Sequence, residues 1–287
     1  MAPSNYSVKD LVPLMGSDAK IPRIGYGVYR SNDCKAAVLA ALSTGYRHID
    51  TAQFYKNEAD VGEAIKTSGI PRKELYIVTK IQQPVENSVE RTLESIRESV
   101  QRIDSGEGDR KGYVDLFLVH TPASGREGRE ILWGALELLK KEGGTIDIGV
   151  SNYGTEHLFQ METYASIIPV CNQIEVHPFC QQKEVISFCK SKGMVITAYA
   201  PIVRNRRSDD PVLVAIGHNH GRHPTQVMIK WSLQKGYLPL PKSDNPERMK
   251  ANMDMEGWEL SEEEMTQIEQ LDEGQDGAIC PYPLNCP

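Results

Sequence analysis

Gly45-Tyr46-Arg47-His48-Ile49-Asp50-Thr51-Ala52-Gln53-Phe54-Tyr55-Lys56-Asn57-Glu58 is the stretch that decides the fold. Its first half alternates, with Tyr46 and His48 to one side and Arg47 and Ile49 to the other, the period of a short strand. An acid, Asp50, and a phenol, Tyr55, follow past the strand's carboxyl end. Asn57 is then a good N-cap and Glu58 a favourable first-turn acid, so a helix is expected to open there. A titratable pair where a strand gives way to a loop is what a (β/α)8 barrel uses for chemistry, because its active site is assembled from those strand ends. By itself the pair would better suit a surface turn with a buried tyrosine, and the rest of the chain overturns that reading.

The same strand-then-helix alternation runs outward in both directions. Upstream, 11–20 reads as a hairpin around Gly16-Ser17-Asp18. Residues 21–29 read as a first strand with glycines that let something approach the backbone, and 36–44 as a helix ended by Gly45. Downstream, strands are expected at 75–80, 114–119, 146–150, 170–174, 195–199 and 238–241. Between and after them, helices are expected at 57–68, 88–103, 131–141, 155–165, 184–192, 211–218, 225–235, from 245, and to 271 behind the capping box that begins at Ser261. The polar run 106–112 is a loop. Eight strand-helix units with no break in composition predict a parallel sheet, and at this length one α/β barrel spanning 1–287, with a hairpin before it and extra helices. A doubly wound sheet holding a dinucleotide would carry GxGxxG after its first strand, and none occurs.

Composition narrows the function. Of the 287 residues, 40% are hydrophobic and 25% charged, enough for a large core. Thirty-two basic against thirty-nine acidic residues give a net charge of −7, which argues against a nucleic-acid partner. The N-terminal residues lack the apolar core of a secretory signal, and no run approaches the ~18 apolar residues of a membrane span. The six cysteines show no metal-finger or CxxC spacing, so neither a metal site nor disulfides are expected and the thiols suit a cytoplasmic setting.

Asp50, Tyr55, Lys80 and His120 fall near the carboxyl ends of the second, third and fourth strands, which a barrel gathers at one mouth. Together they form a phenol beside an ammonium that is itself held by a carboxylate. A free tyrosine titrates near ~10, and a nearby Lys⁺ lowers that value by stabilising the phenolate. Asp50 keeps Lys80 placed and charged, and His120 can offer a ring N–H to a substrate oxygen. Such a set moves a proton to or from a carbonyl/alcohol pair.

With these residues in view, the chain resembles the aldo-keto reductase superfamily over about 21–271. Seven motifs in order carry the likeness: GYRHIDTAQFYKNE, IVTKI, VDLFLVHTP, IGVSNY, NQIEVHP, ITAYAPI and LPKSDNPERMKAN. The resemblance implies a catalytic tetrad of Asp50, Tyr55, Lys80 and His120 with Tyr55 as the acid, NADPH lying across the barrel mouth without a Rossmann fold, and a C-terminal tail, 274–287, folded over that mouth. It implies carboxamide contacts from Ser151, Asn152 and Gln173, and a nicotinamide stacked on Tyr199. Lys242, Ser243 and Arg248 resemble a 2′-phosphate clamp, with Asn252 near the adenine; a point charge, a hydroxyl and a guanidinium fork suit a phosphate. Arg204, with Arg206 and Arg207, either reaches the pyrophosphate or belongs to a mobile basic loop.

The substrate side departs from better-known members. Tyr29 stands where a tryptophan is common, and Gln82 and Thr121 replace aromatics. With Phe54 they make a more polar pocket, and the loop through 125–129 is expected to leave one side open. Ala200 and Ala251 replace residues that often make polar cofactor contacts. The expected function is therefore NADPH-dependent reduction of aldehydes or ketones, with α-dicarbonyls, keto-amides and keto-lactones as suitable substrates. The chain is expected to act as a monomer or weak homodimer. A protein that binds NADP(H) for a regulatory or structural purpose is the alternative, and an oxidising dehydrogenase is a third.

Overall fold

The computed structural model describes residues 6–280. Among these residues, eight parallel strands lie in one sheet in sequence order: β3 (Tyr26–Gly27), β4 (His48–Asp50), β5 (Tyr76–Ile81), β6 (Val114–Val119), β7 (Thr145–Ser151), β8 (Cys171–Glu175), β9 (Val195–Tyr199) and β10 (Leu238–Leu240). The first is joined back to the last by Gly25 N–H to Pro239 O at 3.0 Å and Gly27 N–H to Pro241 O at 3.3 Å, which closes the barrel. Gly25 is required at that seam. A Cβ there would run into Leu240 and stand 2.7 Å from His48 Nδ1. Helices alternate with the strands outside, as the patterning predicts.

The expected first strand at 21–29 is divided. Lys20–Pro22 (β2) pairs antiparallel with Leu11–Pro13 (β1) as the N-terminal hairpin, and only Tyr26–Gly27 enters the barrel. Pro22 has no N–H to continue a ladder, and the chain turns through Gly25 into the seam. Leu14 and Ile21 of the hairpin pack with Tyr76, Val78, Leu116, Leu118, Cys171 and Leu238. Ser17 Oγ also donates to the buried Asp147 carboxylate at 2.6 Å. The hairpin therefore floors the barrel.

Strand parity sorts the sheet's two faces. Along β5, Tyr76 and Val78 join the inner cluster with Lys80 next in step, whereas Ile77 and Ile81 pack outward with the helices. β6 does the same with Leu116 and Leu118 inside and Phe117 and Val119 outside. Successive side chains point to opposite faces, so an apolar floor and a polar top share one inner face.

The helix ends follow local chemistry. α1 (Cys34–Thr44) is capped by Asp33, whose side chain accepts from Ala36 N–H, and stops at Gly45 with φ +112°. α3 (Val89–Ile103) is capped by Ser88 and buries Leu93, Ile96, Val100 and Ile103. Two expectations change in detail. α2 (Glu58–Ser68) starts after Asn57, but the Asn57 side chain makes no cap bond. It accepts from Thr51 Oγ1 at 2.6 Å and donates to Val28 O at 3.1 Å, tying the mouth loop to the end of the first strand. α4 begins at Gly125 (Gly125–Lys141), so 125–129 form helical turns rather than an open loop. Buried Arg129 fixes that start by donating to Pro122 O at 2.9 Å and Gln160 Oε1 at 2.8 Å.

Glu58, expected only as a first-turn acid, is buried at the join of α2, β5 and α3. It accepts from Thr79 Oγ1 at 2.6 Å, Ser99 Oγ at 3.1 Å and Arg102 Nε at 2.9 Å. Cys34, Cys171, Cys180, Cys189 and Cys280 are free thiols, and Cys286 lies outside the described residues. Among the described residues no helix is long and apolar enough to cross a membrane.

Candidate active site

The floor of the mouth is set by Lys80, which is fully buried at the upper end of β5. Its Nζ lies 2.5 Å from Asp50 Oδ1 and donates to Thr51 O at 2.8 Å. Burial pulls the ammonium below its ordinary value, and Asp50 pulls it back up. The Asp50 carboxylate is in turn anchored on its other oxygen by Gln173 Nε2 at 2.8 Å. Lys80 Nζ stands 5.1 Å from the centroid of the Tyr55 ring.

His120 completes the group. Its ring meets Tyr55 edge-on at 5.7 Å between centroids. Burial, and then the Lys80 charge, push its pKa down to about 3, so the imidazole is neutral at physiological pH. Asp50, Tyr55, Lys80 and His120 are thus brought together from three strands, as the sequence predicts.

A network of amides borders them. Asn152, at φ +62°, donates from Nδ2 to His120 O at 2.9 Å and to Ser151 Oγ at 3.1 Å. Ser151 Oγ donates to Gln173 O at 2.8 Å. Tyr199 OH donates to Asn152 Oδ1 at 2.7 Å, and burial raises the Tyr199 phenol well above its ordinary value, so it stays protonated. Ser151, Asn152, Gln173 and Tyr199 therefore form one connected set beside Asp50 and His120.

The second expected cluster lies where β10 runs into α9 (Pro246–Met253). Arg248 Nε is 3.2 Å from Ser243 Oγ, and the Ser243 carbonyl accepts from Tyr26 OH at 2.7 Å. Asn252 is buried on the same helix. Lys242 is not free: its Nζ pairs with Asp244 Oδ2 at 2.6 Å. Burial pushes the Asp244 carboxyl up, but the donors Lys242 and Ser31 hold it below the usual range.

The pocket candidates divide. Tyr29 packs on Tyr55 with centroids 4.9 Å apart, and the half-exposed Phe54 lies 6.4 Å from the His120 ring. Gln82 is partly buried just past β5. Thr121 is buried, and its hydroxyl accepts from Ala123 N–H at 3.3 Å, so it shapes a turn. Arg204 is exposed at the rim with φ +50° and reaches Cys280 Sγ at 3.5 Å. Arg207 pairs with Glu273 and stacks on Phe179, while Arg206 is exposed.

Residues 23–273 match the model of the aldo/keto reductase family. This chain belongs to that family. It is 38% identical over 257 residues to an aldo-keto reductase of Mycolicibacterium smegmatis, covering 89% of this chain and 91% of the relative. It is 37% identical over 280 residues to the glyoxal reductase of Bacillus subtilis, covering 96% and 97%. The crystal structure of an aldo-keto reductase from a Medee basin deep-sea metagenome library superposes with a TM-score of 0.87 at 34% identity, over 96% of this chain and 98% of that one. As an aldo-keto reductase, the chain is an oxidoreductase of carbonyl compounds, in a family that uses nicotinamide nucleotides.

The donor set suits such a nucleotide: amide donors and acceptors next to Asp50 and His120 at one end, and cations with a hydroxyl at the other. Two residues of this aldo-keto reductase escape a motif reading. Glu175, two steps past Gln173 and so on the same inner face, is buried; it accepts from Ile279 N–H at 2.7 Å, Cys280 N–H at 3.0 Å and meets His177 Nε2 at 2.9 Å. It ties the tail, up to Cys280, to the top of β8; 281–287 lie outside the described residues. Strand parity would have found it. Asp244 is the other.

Proposed function

We propose that this aldo-keto reductase reduces aldehyde and ketone carbonyls with NADPH, with Tyr55 as the general acid. The observation that carries the reading is the buried Lys80, paired with Asp50 and placed 5.1 Å from the Tyr55 ring centroid. An ammonium there stabilises the phenolate left when Tyr55 gives its proton to the carbonyl oxygen. Asp50 holds that ammonium charged and in place. His120, neutral because it is buried, can donate an N–H to the same oxygen and stabilise the charge that grows on it. A reduced nicotinamide bound there would provide the hydride for the carbonyl carbon. Ser151, Asn152 and Gln173 would hold its carboxamide and Tyr199 its ring, while Lys242, Ser243, Arg248 and Asn252 would hold the adenosine end. Arg204, exposed and in reach of Cys280, would meet the pyrophosphate.

α-Dicarbonyls, keto-amides and keto-lactones are the substrates we propose, on the polar Gln82 and the small number of aromatic groups around Tyr29 and Phe54. The likeness to a protein named glyoxal reductase points the same way. The test is NADPH oxidation, followed by its absorbance, against a panel of simple aldehydes, α-dicarbonyls and keto-lactones with wild type and Tyr55→Phe. Turnover by wild type, reduced by about 10²–10⁴-fold in Tyr55→Phe with NADPH affinity retained, is expected. Equal turnover by both proteins would remove Tyr55 from its role.

A further inference from the structure

A clamp for a phosphate dianion is expected to keep its cations unpaired, and the junction of β10 and α9 does not. Lys242 Nζ is 2.6 Å from Asp244 Oδ2, and the other carboxylate oxygen accepts from Ser31 Oγ at 2.7 Å. Asp244 is two residues from Lys242 and directly follows Ser243, so it sits inside the set that would meet the ribose. Arg248 has no acidic partner among the described residues, and its Nε is held at 3.2 Å by Ser243 Oγ. Glu247 is the other acid nearby, exposed in the first turn of α9.

We propose that Asp244 sets the nucleotide preference of this chain, by neutralising Lys242 and offering a carboxylate to a ribose 2′-hydroxyl, so that NADH is accepted alongside NADPH. The inference rests on the nucleotide-binding reading above. A 2′-phosphate must draw Lys242 away from Asp244 and then remain beside a like charge. A 2′-hydroxyl makes neither demand, and it can donate a hydrogen bond to the carboxylate. The Lys242–Asp244 pair is about a third exposed on each side, so it is partly screened and can open. Arg248 stays available to a phosphate, which leaves NADPH a ligand rather than excluding it.

The experiment is calorimetric titration of the whole chain with NADPH and with NADH, without carbonyl substrate, for wild type, Asp244→Asn and Lys242→Met. Asn keeps an oxygen for Ser31 Oγ and removes the charge. For wild type the two dissociation constants are expected within about tenfold of each other. Asp244→Asn is expected to tighten NADPH by about tenfold, ~1.4 kcal/mol, with NADH unchanged or weaker. Lys242→Met is expected to weaken NADPH alone. A loss of loop order would move both nucleotides together, so the ratio separates selectivity from structure. An unchanged NADPH/NADH ratio in Asp244→Asn overturns the role of Asp244 while leaving nucleotide binding standing. Should wild type bind neither nucleotide, the reading of the site falls, and this inference with it.

Discussion

Gln173 Nε2 donates to Asp50 Oδ2 at 2.8 Å, across 123 residues of sequence and from the opposite side of the barrel. The carboxylate that holds Lys80 is thereby fixed between two strands, one carrying the proton-transfer group and one carrying the amide set. Asp50→Asn would leave the Lys80 ammonium buried without its counter-charge, and Lys80 would then lose its proton more readily. Breaking a buried pair from one side costs about 3–5 kcal/mol. We expect a loss of that order in urea denaturation, and a fall in kcat of about 10²-fold. A variant as stable and as active as wild type would show that the pair is dispensable.

His48 gives a prediction that is independent of catalysis. It is fully buried under the mouth, edge-on to Tyr76, and burial lowers its pKa from 6.5 to about 4. Between those values the unfolded chain binds a proton that the folded chain refuses. Stability is therefore whole above pH 6.5 and falls toward pH 4, by up to ~1.4 kcal/mol per pH unit for this group. His120 acts in the same direction. His48→Leu should flatten the slope of unfolding free energy between these pH values by one proton's worth. Equal slopes for the two proteins would show that His48 is protonated in the fold.

Gly25→Ala tests the seam. The added methyl meets the Leu240 side chain and the His48 ring where the first strand closes on the last. Overpacking of this kind costs about 1–3 kcal/mol, readable as a lower denaturation midpoint at unchanged slope. No change in midpoint would mean that the seam opens without cost.

Glu175→Gln tests the tail. The carboxylate accepts two backbone N–H groups, from Ile279 and Cys280, and an amide would turn a donor toward one of them. Hydrogen exchange at these two amides should speed up by about tenfold or more, with exchange in β5 unaltered. Unchanged protection at both amides would mean that other contacts hold this part of the tail.

The barrel is legible in the sequence because period-two strands, helical stripes and the capping box at Ser261 all agree with it. The four residues at its mouth are legible for the same reason, since a strand end is a position the pattern already specifies. Legibility fails where one residue serves two elements. Pro22 and Gly25 divide what reads as a single strand. Asn57 occupies a cap position but spends its amide on Thr51 and Val28. Residues 125–129 read as loop because nothing local reveals that Arg129 will be anchored by Pro122 and Gln160. Asp244 stands in plain view between Ser243 and Asn245. Its pairing with Lys242 depends on a loop shape that Tyr26 fixes from the far end of the chain.

The hairpin that seals the lower end makes the barrel a vessel with one opening. Whatever enters and whatever leaves must share the upper rim, where the tail to Cys280 is moored to Glu175. The apolar floor adds to the larger core between strands and helices, at the pole away from the opening. Rim residues can therefore be exchanged for a new substrate while Leu14, Ile21 and the apolar floor above them go on holding the molecule together.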